Sequence, residues 1–116
     1  KVERGGPEVL LQRGNARRIL FLSWPWSGSM EGPPWDADAL RLYGGLAVIH
    51  VGCLWPPGIT TSAEAIRELR HRFIKTDEVA LPHWISVVAP AEDVKKFTLS
   101  VWHRRSNLQT FLPQCK

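Results

Sequence analysis

Hydrophobic positions along the chain fall into two kinds of run. Ile19-Leu20-Phe21-Leu22, leading into Ser23 and Trp24, and Leu46-Ala47-Val48-Ile49-His50-Val51 are almost continuously apolar. Short unbroken runs bounded by turn residues predict strands of a parallel sheet, buried on both faces. Phe97-Thr98-Leu99-Ser100-Val101-Trp102 alternates instead, which predicts an antiparallel half-buried strand with Phe97, Leu99 and Val101 on its inner face. Residues 75–81 predict a further strand of poorer alternation, ended by Pro82.

Between these runs the spacing changes to that of helices. Pro7-Glu8-Val9-Leu10-Leu11-Gln12-Arg13 has proline and an acid in its first turn and Gly14-Asn15 as its stop, which predicts a short helix. Asp36 is the expected N-cap of a helix over 37–43 that aligns Ala39, Leu40 and Tyr43, closed by Gly44-Gly45. Thr61 followed by Glu64 forms the pattern of a capping box, and Ile66, Leu69 and Phe73 recur at helical spacing behind it. Arg70, His71 and Arg72 fall at the carboxyl end of that helix, where its dipole favours cations.

The expected order is helix, strand, helix, strand, helix, strand, strand. Strand, helix and strand within about thirty residues make a βαβ unit with a right-handed crossover. The Pro/Gly/Ser-rich loop over 25–34 is longer than a connector needs and is a candidate for binding. Residues 83–93 read as an irregular connection, and the tail over 106–116 as a segment that docks elsewhere or frays.

Composition adds bounds. One domain or part of one fits in 116 residues, and 44% hydrophobic with 22% charged residues is ordinary for a globular protein. The net charge of +4 permits an acidic partner such as RNA, but the basic residues are dispersed at element ends rather than gathered in a block. Cys53 and Cys115 match no metal-ligand spacing and are too few for a disulfide scaffold. No apolar stretch has the length of a membrane span, and no signal-peptide pattern is present. A chain beginning at Lys1 is expected to be either processed, with a targeting segment removed, or a piece of something longer.

The ordered set of short motifs resembles a known family. Val2-Glu3-Arg4, Leu20-Phe21-Leu22-Ser23-Trp24-Pro25, Ala39-Leu40 with Tyr43 and Gly45, Val48-Ile49-His50-Val51-Gly52, Gly58 with Thr60, Leu81-Pro82 with Trp84, and Leu99-Ser100-Val101-Trp102-His103-Arg104 follow one another at the family's rough spacing. Together they are similar to the carboxyl-terminal half of a class I, Rossmann-like S-adenosylmethionine-dependent methyltransferase-like family, over residues 2–105. The resemblance implies an α/β fold: a partial Rossmann-like sheet of two parallel strands plus a terminal antiparallel pair, with flanking helices. It also implies a division into a half-domain over 1–105 and a tail over 106–116.

In that family the cofactor is held by a glycine-rich loop after the first strand and an acidic residue ending the second. Neither is found in this chain, so no cofactor-binding residue is assigned, and S-adenosylmethionine enters only together with an amino-terminal half. Ser23, Trp24, Pro25 and Trp26 stand where amino-methylating members carry an Asp/Asn-Pro-Pro-aromatic motif, whose carbonyls hold the target nitrogen while the ring stacks on the acceptor. Here the polar residue is serine, Trp26 replaces the second proline, and Cys53 stands where the family has an acid after the next strand.

Six tryptophans are many for this length, and Trp24, Trp26, Trp35 and Trp55 lie at or near the ends of the two central strands. A stacking platform for a base, an anchor for protein contact, and plain core filling all account for them. Trp26, Trp35 and Trp55 are the candidate interaction residues. His50 and Cys53 resemble a thiol-imidazole or metal pair, but an odd separation along a strand sends them to opposite faces.

A strand apolar on both faces is unsuited to an open edge. The edge of the 19–24 strand, from Ile19 to Trp24, is therefore expected to be covered by a missing half or by another protein chain. The leading expectation is a catalytically incomplete methyltransferase-like domain serving as a structural or interaction subunit of a larger assembly, organellar if a transit peptide has been removed. The alternatives are the carboxyl-terminal part of an active methyltransferase and, third, an RNA-binding module.

Overall fold

The computed structural model describes residues 5–12, 14–26, 32–81 and 97–105. The motif at 2–4, the middle of the 25–34 loop, the connection at 83–93 and the tail at 106–116 lie outside the described residues. Two short 3₁₀ helices, Pro7–Leu11 and Asn15–Arg17, precede β1 (Leu20–Ser23), α1 (Trp35–Leu42), β2 (Ala47–Cys53), α2 (Ala63–Arg72), β3 (Phe73–Ala80) and β4 (Phe97–Arg104). The helix expected over 7–13 is a 3₁₀ piece that ends at Leu11, where Gln12 takes an extended backbone, and Gly14, at φ 94°, opens the second 3₁₀ piece.

The strands form one mixed sheet in the order β1-β2-β4-β3. β1 and β2 are parallel, with Leu20 opposite Val48 and Ser23 opposite Val51. β4 is antiparallel to both of its neighbours, so β3 runs in the same direction as β1 and β2. The chain is thus α/β, with a four-stranded mixed sheet and two helices among the described residues.

Both helices lie on one face of the sheet. Leu22, Val48 and Trp102 from the strands pack with Leu40 of α1 and Leu69 of α2, each essentially shielded from water. Burying one such side chain contributes about 1.5–3 kcal/mol, which makes this layer the main source of stability. Phe73, expected as the last core position of the helix, is instead the first residue of β3 and remains fully buried.

The insertion of β4 between β2 and β3 overturns the expected inner face of that strand. Ser100 and Trp102, not Leu99 and Val101, point under the helices, while Phe97 is buried on the other side. Leu99 and Val101 lie on the sheet face opposite the helices and stay half-buried, so the apolar alternation marked the less covered face of this strand. The polar atoms buried under the helices satisfy each other, because the Trp102 indole N–H donates to Ser100 Oγ at 2.9 Å.

The foot of the sheet is closed by Tyr43 and Arg104. The single proton of the Tyr43 hydroxyl is shared between the carbonyls of Arg18 and Ala47, both within hydrogen-bond distance, which joins the segment before β1 to the start of β2. Arg104 Nε and Nη2 donate to the Gly45 and Tyr43 carbonyls, each at 2.7 Å, and the guanidinium lies 4.7 Å from the Phe73 ring centre. A side chain at Gly45 would run into the Tyr43 ring, so this close approach requires glycine there.

Candidate functional site

The carboxyl ends of β1 and β2 lead into the loops where a parallel sheet carries its chemistry. The strand-loop of β1 is stitched across to its neighbours. Trp24 N–H donates to the Val51 carbonyl and Trp26 N–H to the Thr60 carbonyl, both at 2.9 Å. Trp24 takes a left-handed backbone conformation, φ 48°, which turns the chain sharply off the strand. Its ring lies 5.3 Å from that of Phe97, tilted by 55°, and Phe97 is fully buried. Trp24 therefore fills the core at the strand ends. Pro25 is buried beside it, Trp26 is half-buried, and only Ser23 of the four is exposed.

The next loop is pinned by a buried polar cluster. Thr60 Oγ1 accepts from Cys53 N–H at 2.8 Å and donates to the Cys53 carbonyl at 3.1 Å, while Thr61 Oγ1 lies 2.6 Å from His50 Nε2. His50 and Cys53 are both fully buried, but each engages other partners: the Cys53 thiol lies 2.7 Å from the Trp55 carbonyl. No thiol-imidazole pair forms. Burial pushes the His50 imidazole down from 6.5 to about 4, so it is neutral at physiological pH.

Gly52 makes this cluster fit. Its φ is +151°, and a Cβ placed there would come within 2.5 Å of Thr60 Oγ1. Gly52→Ala is expected to cost about 2 kcal/mol through backbone strain and displacement of Thr60, measured as a lower urea midpoint with an unchanged m-value.

Asp36 is not the cap of α1. Pro34 occupies that position, and Asp36 sits fully buried in the first turn of the helix. Its carboxylate accepts from Ser62 N–H at 2.9 Å and Ser62 Oγ at 2.7 Å, tying the start of α1 to the start of α2. Ser62, rather than Thr61, is the N-cap of α2, its Oγ accepting from Ala65 N–H at 3.0 Å. Thr61 is taken by His50, which leaves the neighbouring serine to cap the helix.

A groove of about 760 Å³ runs along the side of β1 that no strand among the described residues pairs with, its free side. Leu20, Phe21 and Ser23 form one wall, with Leu10 of the first 3₁₀ helix and Trp35 and Ala39 of α1 opposite. Trp24 N–H faces β2, so alternation along the strand turns the N–H and C=O groups of Phe21 and Ser23 toward this groove. Ile19 and Phe21 are 61% and 60% exposed beside it. Trp35, 38% exposed, belongs to this groove, whereas Trp55, 64% exposed, lines a different cleft against α2. The tryptophans do not form one platform.

Sequence reasoning placed the loop ends but missed the Asp36–Ser62 tie and the Thr60–Thr61 anchor. A lone histidine in an apolar strand and adjacent threonines were the available signals, and only the fold brings them together. Among the described residues no cluster of three His, Cys, Asp or Glu side chains is placed to hold a metal ion, and no helix is long and apolar enough to cross a membrane. Comparison with known proteins returned no family model, no curated protein and no solved structure that matches this chain. The chain is an α/β unit with, among the described residues, a mixed four-stranded sheet that has β1 at one edge.

Proposed function

We propose that this chain is a methyltransferase-like half-domain, catalytically incomplete by itself, that works as an interaction subunit of a larger assembly. The observation that carries the reading is the free side of β1, where outward-facing backbone groups and the exposed Ile19 and Phe21 adjoin an apolar groove. Such an edge is a template for strand addition, and the occupant is an extended apolar segment of another polypeptide, laid beside β1 as a fifth strand. The sequence motifs and the parallel β1–β2 pair followed by the β3–β4 pair support the methyltransferase-like part of the reading.

A second reading uses the same edge. The cofactor-binding half of an active methyltransferase would also lie beside β1, supplied upstream or by another chain. Two measurements separate these. Calorimetric titration of the 116-residue chain with S-adenosylmethionine is expected to show no binding; a saturable isotherm would overturn the first reading. In the assembly isolated from its natural source, the Phe21 and Ser23 amides are expected to exchange hydrogen far more slowly than in the chain alone. Phe21→Lys should release the chain from that assembly while changing its own stability by about 0.5 kcal/mol or less, since the side chain is mostly exposed. Unchanged exchange in the assembly would show that the edge is not the contact.

A further inference from the structure

A second cleft, independent of the β1 edge, opens on the outer side of α2. It encloses about 480 Å³, with Ala63 and Ile66 as its apolar floor, Trp55 and Pro57 of the preceding loop along one side, and Arg67, Arg70 and His71 along the other. Spacings of three and four residues put Arg67, Arg70 and His71 on one flank of the helix. Trp55 as a residue is 64% exposed, a large hydrophobic side chain left at the surface of a cleft that cations also line.

The charges on this flank are unspent. Glu68, the acid nearest to them in sequence, is engaged by Arg41 and Arg72 on another side of α2. Among the described residues no ion pair or hydrogen bond engages the side chains of Arg67, Arg70 or His71, and no acid lines the cleft. The helix dipole accounts for cations at the carboxyl end of α2, but not for Arg67 or for the exposed tryptophan that lines the same cleft. The negative potential of that end is moreover offset, because the Arg105 guanidinium donates to the Arg70 carbonyl at 3.1 and 2.8 Å.

We propose that this cleft binds single-stranded nucleic acid, with a base stacked on Trp55 and the flanking phosphates held by Arg67 and Arg70. A flat exposed aromatic face beside unpaired guanidinium groups matches the two parts of a nucleotide, its π-face and its anion. An acidic peptide would use the charges and leave the indole idle. The net charge of +4 favours approach of a polyanion.

The test is fluorescence anisotropy of labelled oligo-uridine and oligo-deoxythymidine, each about ten nucleotides long, with the 116-residue chain between about 50 and 200 mM salt. Saturable binding of either strand that weakens with salt is expected. Arg67→Gln with Arg70→Gln should weaken it about tenfold and reduce the salt slope by about 1.4, as loss of two phosphate contacts on a single strand requires. Trp55→Ala should weaken it about tenfold and Trp55→Phe much less. Should Trp55→Ala fail to unfold cooperatively, the exposed arginine pair decides by itself. Arg17→Gln with Arg18→Gln, which removes the same charge outside the cleft, should have a small effect. Absence of saturable binding, an equal effect of the two arginine pairs, or competition by oligo-glutamate as effective as by unlabelled oligonucleotide would overturn the proposal, the last by pointing to an acidic protein surface.

Discussion

Lowering the pH from about 7.5 to about 4.5 is expected to remove about 2.5 kcal/mol of stability through His50 alone. The imidazole is fully buried, and burial holds its folded pKa near 4, against 6.5 for the ordinary group. An unfolded chain therefore takes up a proton at His50 across this window while the folded chain does not. The contribution is fully present above pH 6.5, and falls by about 1.4 kcal/mol per pH unit until the folded group titrates near 4.

Carboxylates titrate in the same range, so the measurement must be differential. Urea unfolding at the two pH values is compared between the natural chain and His50→Gln, which can still bond to Thr61 Oγ1 but cannot take up a proton. The natural chain should lose about 2–3 kcal/mol more than the variant over this interval. Equal losses would show that His50 is not held neutral in the fold. Any function that depends on the loop following β2 should fail over the same interval, because Thr60 and Thr61 anchor that loop to His50 and Cys53.

Asp36→Ala is expected to destabilise the fold by about 3 kcal/mol or more. The carboxylate is fully buried and accepts from Ser62 N–H, Ser62 Oγ and Ala37 N–H, the last at 2.8 Å. Removing it strands buried donors and also loosens the Ser62 hydroxyl that caps α2. Hydrogen bonds to a charged acceptor contribute about 1.5–3 kcal/mol each, and an unsatisfied buried donor costs about 1–3.

A double-mutant cycle with Ser62→Ala separates this tie from general damage. Because the two residues share hydrogen bonds, the double variant should be less damaging than the sum of the singles, by about 1 kcal/mol or more. Strict additivity would mean that the contact contributes nothing. Asp36→Asn preserves the shape but exchanges one acceptor oxygen for a donor, and should lie between Asp36→Ala and the natural chain.

The consequence for function lies in the geometry that this tie preserves. Trp35 and Ala39 of α1 form one wall of the β1 groove, and Trp55 with α2 forms the second cleft. Asp36 and Ser62 link the helices on which both surfaces are built. Destabilisation at Asp36 should weaken binding at both, whereas Phe21→Lys should affect the first and the Arg67–Arg70 pair only the second.

Much of the architecture was legible in the order of residues. Continuous apolar runs located β1 and β2, and helical spacing located α1 and α2, because local burial patterns repeat with the period of the element. Element ends were less legible. Asp36 and Thr61 both have the chemistry of a cap, yet a cap is decided by which backbone donors remain unpaired, and here Asp36 meets Ser62 while Thr61 meets His50. Neither meeting is visible at separations of 26 and 11 residues.

The sequence by itself determined the α/β class, the parallel start of the sheet and the presence of surplus tryptophans at the strand ends. Only the tertiary structure decided that β4 lies inside the sheet, which turned Ser100 and Trp102 rather than Leu99 and Val101 toward the helices. It alone also sorted the tryptophans, sending Trp24 against Phe97, Trp35 to the β1 groove and Trp55 to the α2 cleft. The physical reason is the same in each case. Periodicity reports which residues leave water, whereas the partner each one meets depends on strand order and loop closure, and these are properties of the whole chain.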